Sequence, residues 1–149
     1  MVLILSWIKI NIMKKIFLLT LLVCSFAFTG ICQTADEAGV KACLENYMSG
    51  DGTRMEKAFD PSASMKYIDA KTGEFKDVPI ADFIARVKAN TAPPAKRKIE
   101  IVSMNVEGNA AQAKIRIETE KNILFDYMNL LKINNEWKIV SKIFSRKDK

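Results

Sequence analysis

The sequence predicts an α+β fold in which three helices pack on one face of a curved, mainly antiparallel sheet. Three observations carry this expectation. Apolar residues recur at helical spacing in three stretches between residues 34 and 90. The last third of the chain holds four long runs with strand-like alternation. Two of the connections between those runs, Gly108-Asn109 and Asn134-Asn135, are residue pairs that accept the left-handed backbone of two-residue hairpin turns.

The first 32 residues stand apart from this pattern. Lys14 and Lys15 precede an apolar run from Ile16 to Phe28 and then small residues, the order of a secretory signal peptide, with Met13 as an alternative start. The run falls well short of the roughly 20 residues that a bilayer-crossing helix needs, so no stable membrane span is expected after cleavage. Gly30 and Cys32 place small residues three and one before a cut after Cys32. Residues 33–149 then form a single secreted or periplasmic domain. An acylated Cys32 is the alternative, disfavoured by the bulk of Ile31.

Charge and composition exclude several function classes. The 149 residues include 23 Lys and Arg against 17 Asp and Glu, a net charge of +6. Loss of residues 1–32 removes Lys9, Lys14 and Lys15 and no acid, which leaves 20 against 17, or +3. Lys96–Lys98 and Arg146–Lys149 read as solvated runs, so no nucleic-acid partner is expected. The chain has no histidine. Ser-His-Asp and Cys-His nucleophile systems are therefore excluded, and neither a metal site nor a cofactor is expected. Cys43 is the one cysteine after residue 32. It lies on an apolar helical stripe, cannot form an intrachain disulfide, and reads as core.

The individual elements follow from caps, periods and turns. Thr34 and Glu37 have capping-box spacing before Val40, Cys43, Leu44 and Tyr47, and Gly50 ends that helix. A short second helix is expected with Thr53 as cap and with Met55 and Phe59 on one face, stopped by Pro61. Strands are expected at Ser64–Asp69 and Glu74–Lys76 around the turn Lys71-Thr72-Gly73. Asp77, as cap, and Pro79 open a third helix carrying Ile80, Phe83, Ile84 and Val87. The four long strands are Ile99–Val106, Ala110–Glu120, Ile123–Ile133 and Glu136–Phe144.

Regular pairing of these strands, with Glu120 folded back on Ile123, assigns two faces. The inner face is expected to hold Val102, Met104, Val106, Ala111, Ala113, Ile115, Ile117, Leu124, Met128, Leu130, Trp137, Ile139 and Ile143. Glu100 and Asp126 fall on it as well, opposite Ile117, and Asp126 is also opposite Ile143. A carboxylate among isoleucines has its charged form disfavoured, which suits a general acid or base. The alternative for Asp126 is a strand-end position paired with a basic side chain such as Arg97. The outer face carries Ile101, Arg116, Phe125, Tyr127, Leu131, Val140, Lys142 and Phe144. Arg116, Phe125, Tyr127, Lys142 and Phe144 are the expected homodimer contact, with a covering helix or a wet face as alternatives.

Several residues carry a family resemblance: Tyr47 with Gly50, then Phe59, Asp60, Pro61 and Ala63, and above all the final hairpin. That hairpin runs Phe125, Asp126, Tyr127, Met128, Leu130, Leu131, Lys132 and then Trp137, Lys138, Ile139, Val140, Lys142, Ile143 and Phe144. Over about residues 35–146 the chain resembles the nuclear transport factor 2-like superfamily, within it the secreted SnoaL-like group that carries a lumazine-binding label. The resemblance implies the cone-shaped, cystatin-like version of the α+β fold, a pocket between sheet and helices, and commonly a sheet-to-sheet homodimer. With the inner-face assignment, the expected pocket-lining residues are Tyr47, Phe59, Tyr67, Phe83, Glu100, Met128 and Trp137. It does not imply one activity, because this frame hosts isomerases, dehydratases and plain binding modules. Relatives with a histidine before the proline differ here, where Asp60 stands. The ketosteroid isomerase pattern of a base Asp with Tyr and Asp donors has available residues in Asp60, Asp126, Tyr47 and Tyr67. The expectation is a non-catalytic module for a small hydrophobic or aromatic molecule. The alternative is an acid-base isomerase or dehydratase with Asp126 as catalytic base.

Overall fold

The computed structural model describes residues 35–92 and 96–149. The leader, the Thr34 cap and the prolines of the 91–95 stretch lie outside the described residues. Helix α1 covers 35–48 and buries Val40, Cys43, Leu44 and Tyr47, the i, i+3, i+4, i+7 stripe of an amphipathic helix. Gly50 follows it at φ +73°, a left-handed cap that a side chain would strain.

Helix α2 runs Gly52–Ala58 and is capped by Asp51, whose side chain accepts a hydrogen bond from the Arg54 backbone N–H at 2.8 Å. This corrects the expected Thr53 cap by two residues. A carboxylate reaching the third N–H of the helix satisfies one of its free donors, and Thr53 lies inside the first turn instead. Strand β1, Phe59–Ile68, starts where α2 ends, so Pro61 sits in a strand. Its register against the neighbouring strand shifts between Phe59 and Ser64, an irregular segment that tolerates a residue without a backbone donor.

Strand β2, Phe75–Pro79, returns antiparallel to β1 after a turn that includes Gly73 at φ +73°. Asp77 is inside this strand, bridging Lys66 at 3.2 Å, and is not the cap of the next helix. Helix α3, Ile80–Ala89, follows Pro79 without a side-chain cap and buries Ile80 and Ile84. Strands β3, β4, β5 and β6 span Lys98–Glu107, Ala110–Glu118, Asn122–Ile133 and Glu136–Asp148.

The curved, open sheet has the order β2-β1-β6-β5-β4-β3 and is antiparallel except for the parallel β1/β6 pair. Asn134 and Asn135 have φ of 50° and 66°, as a type I′ hairpin turn requires. Met128, Leu130, Ile115 and Ile139 of the sheet are fully buried with Val40 and Leu44 of α1. A Cβ on Gly39 would lie 2.7 Å from Trp137 Cδ1, so the missing side chain lets α1 settle against the indole. Among the described residues no helix is long and apolar enough to cross a membrane.

Two bulges correct the expected face assignment. In β3 the register shifts between Ile101 and Ser103, so Glu100 pairs with Arg116 and is exposed, whereas Ile99 and Ile101 pack on the core. In the β5/β6 ladder the partner of Leu130 is Ile139 but that of Asn129 is Ser141, which leaves Val140 as the extra residue. Beyond it Lys142 and Phe144 turn inward. Val102 and Ile143, expected in the core, are 46% and 48% exposed. The β4/β5 ladder slips by two residues, because Thr119 closes the turn through the Lys121 and Asn122 N–H groups. Asp126 therefore pairs with Ile115 and Phe144 rather than Ile117 and Ile143, and an even slip keeps it on the inner face.

Replacement of Asp51 by Ala is expected to destabilise the protein by about 1 kcal/mol through loss of the α2 cap, read as a lower urea midpoint at unchanged slope. An unchanged midpoint would show that the cap is not needed.

Candidate functional site

The inner end of Tyr47 and the inward residues of β5 and β6 meet at one wall of a cavity of about 850 Å³. Tyr47 comes from the last buried turn of α1, Asp126 from the inner face of β5, and Lys142 from β6 beyond its bulge. Tyr47 Oη donates a hydrogen bond to Asp126 Oδ2 at 2.5 Å. Lys142 Nζ donates to Tyr47 Oη at 2.7 Å and lies 3.2 Å from the same Asp126 oxygen. Two donors thus converge on Oδ2. Oδ1 is buried without a hydrogen-bond partner, and Asp126 is 0% exposed.

The charge of Lys142 is further accommodated by aromatic faces. Its Nζ is 5.0 Å from the Tyr47 ring centroid, 5.4 Å from that of Phe83 and 5.3 Å from that of Phe144. Tyr67 packs on Phe144 with ring centroids 4.7 Å apart, extending the aromatic wall. Burial holds the Lys142 pKa below the ordinary lysine value, opposed by the Asp126 charge. Burial and then the neighbouring Asp126 carboxylate push the Tyr47 phenol well above its ordinary value, so it is a hydrogen donor at neutral pH. Met55, Met65, Ile99, Ile117 and Leu124 supply apolar walls, while Arg86, Asn90 and Arg97 are exposed lining residues. Flat stacking surfaces, one free acceptor and a few donors inside an apolar enclosure are the ingredients of a small-molecule site.

The structure brings Tyr47, Tyr67, Phe83 and Asp126 to this cavity. It does not bring the other expected lining residues there. Glu100 is exposed on the outer side of the β3 bulge, and Phe59, Met128 and Trp137 are core residues outside the cavity wall. Phe59 instead meets the Tyr47 ring edge-on at 5.8 Å. Lys142 and Phe144, expected at a homodimer contact, line the cavity, whereas Arg116, Phe125 and Tyr127 do lie on the outer face, with Lys114 over both aromatic rings. Asp60 accepts from the Ser62 N–H and hydroxyl and is not in the cavity wall. Cys43 donates to the Ala58 carbonyl at 3.3 Å, and burial pushes its thiol up to about 11.

Sequence reasoning put Lys142 at the dimer contact and offered Arg97 as the partner of Asp126, a place that Lys142 takes instead; it missed Arg86. A polar residue in the presumed inner series Trp137, Ile139, Ser141, Ile143 was the available signal for the β6 bulge. The three-residue step from Ile101 to Met104 between apolar positions marks the β3 bulge in the same way.

Lys142→Met is expected to cost about 3–5 kcal/mol in urea unfolding, because it leaves a buried carboxylate without its counter-charge. Lys142→Met combined with Asp126→Asn regains most of that loss by removing the orphaned charge. Equal stability of the single and double variants would contradict this electrostatic account.

Comparison with known structures agrees with this architecture. A nuclear transport factor 2-like protein of unknown function from Shewanella baltica OS155 superposes with a TM-score of 0.69 at 24% identity, over 76% of this chain and 95% of that one. Another from Silicibacter pomeroyi DSS-3 gives 0.67 at 24% identity over 77% and 98%. A third from Methylobacillus flagellatus KT gives 0.66 at 26% identity over 76% and 93%. Structures described as cystatin-like share the fold. No curated protein matches the sequence. With its six-stranded sheet, three packed helices and a match to the family model over residues 35–145, the chain belongs to the family described as "Putative lumazine-binding", of the nuclear transport factor 2-like fold.

Proposed function

We propose that this protein is a secreted small-molecule-binding module whose ligand is a flat heteroaromatic molecule held between the sheet and the helices. The observation that carries the reading is Asp126, a residue of the wall of an aromatic-rich cavity whose buried Oδ1 has no hydrogen-bond partner. An unsatisfied buried acceptor is costly, and a ligand N–H or O–H would relieve that cost. Tyr67, Phe83 and Phe144 offer ring surfaces for the ligand body. Lumazine, the molecule in the family's description, has this chemistry: a fused planar ring system with N–H donors and carbonyl acceptors.

A second reading rests on the same triangle. A tyrosine and a lysine that share one carboxylate oxygen, with the other oxygen free, could serve an isomerase or dehydratase in which Asp126 takes a substrate proton. We also propose self-association through the outer sheet face, where Val102, Tyr127, Leu131 and Ile143 are 46%, 36%, 40% and 48% exposed.

Calorimetric titration with lumazine tests the binding reading. Saturable binding that weakens about tenfold in Asp126→Asn, the cost of one hydrogen bond, is expected. Absence of binding, with no small molecule retained by the purified protein, would overturn it, and conversion of a retained compound would favour the enzyme. Native mass spectrometry of residues 33–149 is expected to show a dimer that Ile143→Lys converts to monomer. A wild-type monomer would remove the proposed contact.

A further inference from the structure

We propose that the ligand is an anion, an acid-bearing flat molecule whose carboxylate or phosphate is held by Arg86 and Arg97 while its N–H or O–H end reaches Asp126. This inference rests on the binding reading above and adds the chemical class of the ligand. The charged residues lining the cavity are Arg86, Arg97 and Lys142 against the single carboxylate of Asp126. Lys142 is spent on Asp126 and Tyr47, so the uncompensated charge belongs to the two arginines.

Neither arginine has an ion-pair partner among the described residues, although Lys66, Lys88, Arg116, Lys138 and Arg146 each have one. Arg86 gives its Nε–H to the Asp82 backbone carbonyl at 3.3 Å, which leaves the outer guanidinium nitrogens uncommitted. Arg97 is seated by the chain. Its Nη2 donates to the Met48 carbonyl at 3.4 Å, and a Cβ on Gly50 would lie 1.9 Å from the same nitrogen. The glycine that ends α1 is thus also the floor on which this guanidinium rests. The Arg97 charge is felt inside the cavity, where it opposes the upward shift of Tyr47.

Guanidinium groups match planar and tetrahedral oxyanions through paired N–H donors. At the inner end Lys142 and Asp126 neutralise each other and leave no net positive charge for an acid. The orientation is therefore set electrostatically, with the neutral donor end inward and the acidic end towards the arginines.

The test compares lumazine with a lumazine carboxylic acid by calorimetry on wild type and on Arg86→Gln/Arg97→Gln. The acid is expected to bind about tenfold tighter than lumazine in wild type, with the preference shrinking as salt is raised. In the double variant the ratio of the two affinities is expected to fall to about one. Equal affinities in wild type, weaker binding of the acid, or a preference that survives in the double variant would overturn the anion inference while leaving the binding reading in place. Failure of both compounds to bind would overturn the binding reading and this inference together.

Discussion

The burial of the Asp126 charge is the constraint around which the rest is arranged. A carboxylate with no solvent exposure is tolerated only when opposite charge and hydrogen bonds compensate its lost hydration. Here the compensation comes from two other elements, the end of α1 through Tyr47 and the far half of β6 through Lys142. Neither partner is local in sequence, so helix, central strand and C-terminal strand must all be in place before the charge is satisfied. The aromatic rings around Lys142 then do for the ammonium what water would otherwise do.

The structure divides apolar work between two regions. The Trp137, Ile139 and Leu130 side of the sheet packs directly against α1 and forms a closed core, with Gly39 allowing close approach of the helix. The side holding Met65, Ile117 and Leu124 does not close, and α3 stands off it with Phe83 and Val87 at the wall. Stability can therefore be supplied by the filled region, which leaves the open region free to present polar atoms to a ligand.

Much of this was legible in the sequence because local physics decides it. The helical stripes of α1 and α3, the two hairpin turns and the inward position of Asp126 follow from spacing and turn chemistry. The positions of Lys142, Phe144 and Glu100 did not, since each lies beyond a bulge and an odd slip exchanges the two faces of a strand. Asp126 survived a wrong register because the β4/β5 slip was even. Arg97 could be named from the basic run Lys96–Lys98, but its seat against Gly50 could not, because that contact joins segments distant in sequence.

The Val140 bulge also bears on how the chain avoids mispairing while it folds. A straight β5/β6 hairpin, continued from the Asn134-Asn135 turn without the extra residue, would set Ile143 across from Asp126 and carry Lys142 to the outer surface. That competing hairpin would bring Ile143 inside in place of Lys142 and Phe144. It would also strand a carboxylate among isoleucines with no cation near it, an arrangement penalised by several kcal/mol, as roughly estimated for a buried unpaired charge. The ion pair in the cavity wall thus favours the bulged register over the one that a regular ladder would choose.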